Sequence, residues 1–365
     1  MCIRGIAMQN HLNKLNIVKI LLISLPFVVL FCSCDIGGTP DGHTGNFITI
    51  TENITEPTTW EAGKVYLIKA NDFYVNATLT IKPGVVIKFH PTAGPYLVLG
   101  SGGTVVAVGT SAEPIVFTSY KDDDHGGDTN GDGTATAPAA GDWSYVSTNG
   151  QNDSIFIHCH FYYGGGGTDD STLEIYNSIA TVQNCKFENN KGRNKGVLDA
   201  STAKSGTVIT GNTFKNNQLP LYINTTFDID DSNSFANNTY NGIFLNNSFN
   251  FEFLSNVKWE ETEVAFVITN NDLWIKSGVT LTLGNNVVLK FMPDTMLTLE
   301  NGPSALGNHD GSGVAFTSYK DDTRKGDTNG DGSATTPANG DWQGIYDNSP
   351  GESWLNWGNI YYDSH

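Results

Sequence analysis

Two acidic loops carry the residues whose types and spacing could do chemistry. In the first loop Asp128, Asn130 and Asp132 alternate along the chain, and Gly133 follows them. The second loop repeats the pattern 199 residues later, as Asp327, Asn329, Asp331 and Gly332. Carboxylate and amide oxygens at alternate positions can converge on a hard cation, and glycine permits the sharp turn that this needs. The spacing therefore predicts one structural calcium ion in each loop.

This spacing resembles the first half of an EF-hand-type calcium loop. The resemblance implies a bidentate glutamate at the twelfth position, where this chain has Ala139 in one copy and Ala338 in the other. Asp142 and Asp341 lie three residues further on and are the expected substitutes. Four neighbouring carboxylates could also serve as ligands: Asp122, Asp123, Asp321 and Asp322. The alternative is a pair of solvated turns that hold no metal.

The two loops belong to a tandem repeat. Matched positions of the two copies, such as Thr118 and Thr317, differ by 199 in number. A loop this polar builds no core, so its repetition at full length indicates a duplicated module. We expect a first module over residues 60–150, central coils over 151–258, and a second module over 259–365 that repeats residues 60–163.

The first module is typical of short strands separated by turns. Six runs are rich in β-branched residues, and they cover residues 65–68, 78–81, 85–89, 96–99, 104–108 and 115–118. Glycine and proline lie between the runs, and outside the N-terminus we find no convincing apolar spacing of an amphipathic helix. Alternation along residues 85–89 predicts that Lys88 is exposed, as is its counterpart Lys290. Trp143 and Trp342 follow the loops, and we expect each to be a core residue at the loop base.

The central residues repeat a different pattern. Phe161, Phe187, Phe214 and Phe235 are 26, 27 and 21 residues apart, and pairs of asparagines follow the last three. Such a period predicts a β-solenoid whose coils stack about 4.8 Å apart, so that equivalent residues form columns. The phenylalanines should form an aromatic ladder inside. The asparagines, which include Asn189, Asn216 and Asn237, should bond along a turn column.

These patterns together resemble the right-handed parallel β-helix of the pectate-lyase-like superfamily. The flanking blocks, with Thr-Leu-Thr-Ile-x-Pro-Gly-Val-Val-Ile-Lys-Phe and the acidic loop, resemble modules of bacterial surface β-helix proteins of unassigned activity. The resemblance implies an all-β fold, a right-handed parallel β-helix (β-solenoid) with short inter-coil loops. Cys159 and Cys185 fall in one column, and we expect two buried free thiols because stacked Cβ atoms lie too far apart for a disulfide.

The N-terminus predicts export. Lys14 and Lys19 precede an apolar run over residues 20–31, an order typical of a secretory signal. The run ends in Ser33-Cys34, which resembles a bacterial lipoprotein signal of the Bacteroides–Cytophaga type. Residues 1–34 are therefore expected to be a lipoprotein signal peptide region. The resemblance implies cleavage directly before Cys34, lipidation of the Cys34 thiol, and an anchor at the outer membrane or cell surface. Residues 35–59 are rich in Gly, Thr, Pro and Asn and predict a flexible tether. The alternative is an ordinary cleaved signal and a released product.

Charge limits the partners. The formal net charge is −18, which repels phosphate backbones and argues against nucleic acid. We expect a non-catalytic binding, adhesion or structural scaffold for extracellular glycans. The alternative is a polysaccharide lyase or glycoside hydrolase on the same scaffold. Acidic residues that could line a groove are Asp169, Asp170, Asp228, Asp230 and Asp231. Arginine is scarce after the signal, with only Arg193 and Arg324, and neither lies in a recognisable lyase motif.

The end of the chain carries a further expectation. The second module stops at His365, three residues after Tyr361-Tyr362, the copy of Tyr162-Tyr163. A solenoid that ends within a coil exposes strand edges. We therefore expect a truncated form of a longer repeat protein, or an open end that pairs with a partner. The alternative is an irregular cap formed by residues 349–365.

Overall fold

Short parallel strands pair with strands one coil away along the chain and build a β-solenoid. The computed structural model describes residues 47–70, 72–91, 96–150, 152–167, 171–192, 195–245, 251–269 and 272–365. The predicted signal and Cys34 lie outside the described residues, as do Asp169, Asp170 and Arg193. No helix in the described ranges is long and apolar enough to cross a membrane.

Three sheets run along the first part of the solenoid. Sheet A contains Phe47–Ile50 (β1), Val65–Ile68 (β3), Val86–Phe89 (β6), Ile115–Ser119 (β9), Cys159–Tyr162 (β12), Lys186–Glu188 (β15), Thr213–Lys215 (β18) and Ser234–Ala236 (β20). Sheet B contains Asp72–Val75 (β4), Tyr96–Leu99 (β7), Val146–Asn149 (β10), Leu173–Tyr176 (β13), Leu198–Asp199 (β16), Leu221–Ile223 (β19), Gly242–Leu245 (β21), Ala265–Ile268 (β24), Val288–Phe291 (β27) and Ala315–Ser318 (β30). Sheet C contains Thr58–Trp60 (β2), Thr78–Ile81 (β5), Thr104–Val108 (β8), Ser154–Ile157 (β11), Ala180–Gln183 (β14) and Val208–Thr210 (β17).

Two further sheets accompany sheet B in the second part. Sheet D contains Val257–Trp259 (β23), Leu281–Leu283 (β26) and Leu306–Gly307 (β29). Sheet E contains Phe251–Phe253 (β22), Leu273–Ile275 (β25), Met296–Leu299 (β28), Gly344–Asp347 (β31) and Ser353–Trp354 (β32). A single turn of 3₁₀-helix covers Pro303–Ala305 among the described residues. The strand β32 pairs antiparallel with β31, and Trp357 packs on Phe316 and stacks on His309. The expectation of a longer repeat protein stays a prediction.

The aromatic ladder is confirmed. Phe161, Phe187, Phe214 and Phe235 stack with ring centroids 4.8, 5.1 and 5.1 Å apart and planes within 11°. Phe117 extends the column at 4.7 Å. Parallel pairing in register sets this spacing, because each phenylalanine is the partner of the next. The ladder forms part of one continuous apolar core.

The asparagine column is confirmed, and the two asparagines of each pair have different roles. Asn189, Asn216 and Asn237 adopt left-handed backbone conformations that turn the chain. Their neighbours are buried and bond from coil to coil. Asn217 Oδ1 accepts the backbone N–H of Asn190 at 3.0 Å, and Asn238 Oδ1 accepts that of Asn217 at 3.0 Å. The side chains therefore continue the ladder where the backbone leaves the sheet.

The predicted tether is wrong for residues 47–59. Residues 47–50 form β1 and pair with β3, and Ile54 is buried against the core. Threonine, Asn53 and Pro57 in this stretch gave a loop-like composition, but Ile48 and Ile50 alternate along β1 and are enough to add a coil. Cys159 and Cys185 are buried and free, as predicted.

The two modules use different faces of the solenoid. In the first copy β6 and β9 belong to sheet A, whereas their counterparts β27 and β30 belong to sheet B. Sheet A ends at β20, and no strand is formed between Trp259 and Ala265, where the chain passes on to β24. The first acidic loop therefore follows a strand of sheet A, and the second follows a strand of sheet B.

Candidate functional site

Each acidic loop folds over a buried lysine. Lys88 projects from the outer face of sheet A and is 0 % exposed. Its Nζ donates hydrogen bonds to the carbonyl oxygens of Asp122 and Gly127, both at 2.6 Å, and to Thr129 Oγ1 at 3.1 Å. The prediction of an exposed lysine is therefore wrong. Alternation assigns Lys88 to the correct face of its strand, but the loop covers that face.

The second copy has the same arrangement. Lys290 is also 0 % exposed, and its Nζ donates to Gly326 O at 2.6 Å and to Thr328 Oγ1 at 3.1 Å. Burial lowers the pKa of Lys290 to about 8, although the charge of Asp321 opposes this shift. A lysine ammonium thus forms the inner cation of each acidic loop.

Three carboxylates converge in each loop. Asp123, Asp128 and Asp132 each offer an oxygen, and these oxygens lie within 4.8 Å of one another. The corresponding group of the second loop is Asp322, Asp327 and Asp331. Burial and the charge of Asp128 raise the pKa of Asp123. Crowded carboxylates of this kind repel one another unless a cation neutralises them.

One oxygen of each group has no hydrogen-bond partner among the described residues. It is Asp123 Oδ1 in the first loop and Asp322 Oδ1 in the second, and both atoms are buried. A buried carboxylate oxygen is costly when nothing pairs with it. Because the donors are all hard oxygens and one of them is orphaned in both copies, the residues fit a calcium ion.

The predicted ligands Asn130 and Asp142 take different places. Asn130 lies beside Asp132, with its Nδ2 donating to Asp132 Oδ2 at 3.0 Å. Asp142 instead closes the base of the loop, where it pairs with Lys121 at 2.8 Å and accepts the Ser119 hydroxyl at 2.7 Å. In the second copy Asn329 lies beside Asp331, and Asp341 pairs with Lys320 and Ser318. The described carboxylate groups therefore contain Asp123 and Asp322 in place of Asp142 and Asp341.

The backbone holds these loops in shape. Asp128 accepts the N–H groups of Gly131 at 2.6 Å and Gly133 at 2.9 Å, and these bonds lower the pKa of Asp128. Asp327 makes the corresponding bonds to Gly330 and Gly332. Gly131 and Gly133 both have positive φ, which a side chain would strain. The turn is thus built by its own aspartate and glycines.

An aromatic clamp fastens each loop to the solenoid. His125 Nδ1 lies 2.8 Å from Asp122 Oδ2, and the histidine ring stacks on Tyr162 with centroids 4.8 Å apart. In the second copy Arg324 pairs with Asp321 and lies 3.6 Å above the ring of Tyr361.

The base of each loop is closed by a tryptophan. Trp143 and Trp342 are buried, as predicted, and donate to Tyr162 O and Tyr361 O.

A second feature, which sequence reasoning missed, is an aromatic strip on the outer face of sheet B. We call it the tyrosine face, and it consists of Tyr74, Tyr96, Tyr145, Tyr176 and Tyr222. Alternation in β4, β7, β13 and β19 turns their tyrosines away from the core. Tyr96 stacks on Tyr145 with centroids 5.1 Å apart and meets Tyr74 edge-on at 6.3 Å. Tyr176 is exposed and Tyr74, Tyr96 and Tyr145 are half-buried, whereas Tyr222 packs edge-on against Phe244 at 5.8 Å.

A charged cluster lies in the middle of the tyrosine face. Register places Glu174, Asp199 and Tyr222 next to one another on successive coils. Lys195 Nζ lies 2.8 Å from Glu174 Oε1 and 3.6 Å from Asp199 Oδ2. Asp199 is 3 % exposed, and this burial raises its pKa. Burial and the charge of Asp199 raise the pKa of Tyr222 to about 12. Perturbed groups on an open face mark a candidate site.

Comparison with known proteins supports the scaffold. Residues 52–172 match the model of a family described as a pectate-lyase like beta helix domain. The match covers the first acidic loop and the first part of the tyrosine face. No curated protein and no solved structure matched the chain. The β-helix scaffold is therefore supported by both the family model and the structure, whereas the ligand must be argued from the residues.

Proposed function

We propose that the protein is a cell-surface β-helical scaffold that binds extracellular glycans, with calcium-stabilised loops. The tyrosine face is the observation that carries this proposal. Aromatic rings offer large, rigid contact area, and the phenol hydroxyls and the Glu174–Lys195–Asp199 cluster add hydrogen-bonding groups beside them. The contacting tyrosines Tyr74, Tyr96 and Tyr145 lie on successive coils along the solenoid axis, which suits an extended chain of sugar residues.

A binding screen tests the proposal. Purified protein is titrated with neutral and acidic polysaccharides, and binding and product release are both measured. We expect binding without product release. Tyr96→Ala and Tyr145→Ala should each weaken binding about tenfold, because each removes a ring from the stacked pair. Tyr346→Ala is the matched control, since Tyr346 lies on sheet E and bonds Glu352. Equal binding by the wild type and both face variants would refute the assignment.

The calcium part of the proposal rests on the orphaned oxygens Asp123 Oδ1 and Asp322 Oδ1. When bound, calcium would supply positive charge to the converging carboxylates. A calcium ion that binds the folded state and not the unfolded state raises the free energy of unfolding by mass action. Thermal unfolding and calorimetry with excess calcium and with EDTA should therefore show a higher midpoint and two equivalents of binding. Changing Asp128 and Asp132 to Asn should remove one equivalent and leave the second loop loaded. An unchanged midpoint and no binding heat would reject calcium.

The alternative function is a polysaccharide lyase or glycoside hydrolase on the same scaffold. The observation in its favour is the pair Glu174 and Asp199, because Asp199 is buried with a raised pKa beside a second carboxylate. General acid catalysis uses a carboxyl group of this kind. Product release in the polysaccharide screen, lost in Asp199→Asn with binding retained, would favour the enzyme.

For location we propose a lipid anchor at Cys34 on the bacterial outer membrane or cell surface. The basic, apolar, Ser33-Cys34 order and the polar stretch after it support this proposal. Replacing Cys34 with Ser in the native cell should move the protein from the detergent phase to the aqueous phase. A mutant that stays in the detergent phase with the wild type would disprove anchoring through Cys34.

A further inference from the structure

The stacking of coils is interrupted where sheet C ends. β17 pairs with β14 on one side only. In the next coil Ile229 pairs with Trp259 rather than with β17. Side chains replace the missing backbone ladder, because Thr210 Oγ1 donates to Asp230 Oδ2 at 3.0 Å and lies 2.8 Å from Ser232 Oγ. The two coils are therefore held together at one end of β17 and are separated elsewhere along it.

A cavity of about 510 Å³ occupies this gap. Its volume lies within the range of small-ligand sites, which is about 300–1,000 Å³. Half of its lining residues are polar and uncharged, namely Ser205, Thr207, Thr210, Thr226, Ser255 and Asn256. Val208, which is 43 % exposed, supplies an apolar wall. The groove therefore offers hydroxyl partners and, through Val208, Ile209 and Phe227, an apolar contact.

Two carboxylates set the charge of the groove. Asp228 uses Oδ1 to accept the backbone N–H of Lys258 at 2.7 Å, so Oδ2 remains for a ligand donor. Asp230 is committed to Thr210 and Ser232. No lysine, arginine or histidine is among the described lining residues. On a chain with a net charge of −18, this groove repels anions and accepts hydrogen bonds.

We propose that this groove, at the end of sheet C, is a binding site for a neutral saccharide. Sugar hydroxyls both donate and accept, which matches the serine, threonine and asparagine lining, and Asp228 Oδ2 would accept from one of them. The C–H face of a sugar ring would pack on Val208. The ligand class rests on the proposed glycan-binding function, whereas the location is independent of the tyrosine face.

Matched tryptophan variants test the proposal. Val208→Trp fills the groove. Val108→Trp places the same side chain on β8 of sheet C, where Val108 is 39 % exposed and lies outside the cavity. Neutral hexasaccharides of glucose, mannose and xylose are titrated calorimetrically, with polygalacturonate as the anionic comparator. We expect Val208→Trp to weaken neutral hexasaccharide binding about tenfold or more and to lower the stoichiometry by one site. Val108→Trp should leave both unchanged.

Asp228→Asn serves as a second variant because its amide oxygen can still accept the Lys258 N–H. It should weaken neutral hexasaccharide binding about threefold to tenfold while circular dichroism stays unchanged. Wild-type binding by both groove variants would overturn the inference. If Tyr96→Ala abolishes all binding and the groove variants do not, the inference fails and the proposed function stands. If no saccharide binds the wild type, the proposed function itself fails.

Discussion

Replacing the buried lysine of each acidic loop with methionine separates its role from that of calcium. Methionine fills a similar volume without a charge or a donor. Lys88→Met leaves the carbonyl oxygens of Asp122 and Gly127 and the hydroxyl of Thr129 without their donor. Lys290→Met leaves one carbonyl, that of Gly326, and one hydroxyl, that of Thr328. The two copies therefore form an internal comparison.

The magnitude follows from the number of backbone carbonyl oxygens that lose their donor. Each acceptor left without a partner costs about 1–3 kcal/mol. The two carbonyls of the first loop give a loss of about 2–6 kcal/mol for Lys88→Met, and the single carbonyl of the second gives about 1–3 kcal/mol for Lys290→Met. Removal of the buried ammonium also removes its desolvation cost, which shifts both losses towards the lower ends of these ranges.

Urea unfolding and hydrogen exchange in EDTA measure the effect. We expect the free energy of unfolding to fall in the order just given, and exchange to accelerate in residues 119–142 for Lys88→Met and in residues 318–341 for Lys290→Met. Lys82→Met is the control, because Lys82 lies in an exposed pair with Glu61 and should change stability by less than about 1 kcal/mol. Unchanged exchange in the loop next to the substituted lysine would refute an organising role for the ammonium.

Two further predictions concern buried polar groups. Burial raises the pKa of Glu261 to about 8. The contribution of Glu261 to the free energy of unfolding should therefore be full below the ordinary carboxyl pKa and should be lost as pH rises through 8. Glu261→Gln should remove this pH dependence of the free energy of unfolding, measured by urea unfolding between about pH 5 and pH 9. A slope that persists in the variant would place its origin elsewhere. Asn217→Ala removes the acceptor of two Asn190 bonds and the donor to Phe187 O, and it should cost about 2–4 kcal/mol in the same assay. Asn216→Gly, which keeps the left-handed turn, should cost less than about 1 kcal/mol, and equal losses would contradict the ladder interpretation.

The period of the sequence predicted the stacking because stacking is local in the solenoid. Phe187 and Phe214 are separated by a single coil, so a period of about 20 to 27 residues already places one above the other. The strands of the first module were also predictable from their β-branched runs. The strand β4 was not, since Asp72 and a neighbouring asparagine dilute its apolar pattern. Its partners in sheet B, rather than its own residues, define it as a strand.

The candidate sites were harder to predict because they combine residues that are distant in sequence. Lys88 bonds to Thr129, which lies 41 residues away in the loop that covers it. Two features of the sequence could have indicated this contact: a lysine within an otherwise apolar strand, and the corresponding lysine, Lys290, in the second copy. The tyrosine face had no such signal. Its tyrosines come from five separate coils, and only the register of sheet B brings Tyr96 beside Tyr145 on the outer face.

The duplication shows which features depend on the repeated residues alone and which depend on the position of the copy in the solenoid. A repeated sequence reproduces the lysine, the carboxylate group and the tryptophan base, because those contacts all lie within the repeated stretch, residues 60–163 of the first copy. It does not reproduce the face of the solenoid, because the number of strands between the copies decides on which sheet the second copy begins. The first loop accordingly lies on sheet A, and the second lies over a cluster formed by Leu219, Phe244 and Val267 on sheet B, the sheet that carries the tyrosine face.

Loss of calcium from the second loop should therefore disturb the ligand surface that we propose, whereas loss from the first should affect stability alone. Asp327→Asn combined with Asp331→Asn, set against Asp128→Asn combined with Asp132→Asn, distinguishes these effects in the polysaccharide titration, and equal binding by the two double variants would show that the second loop does not support the tyrosine face.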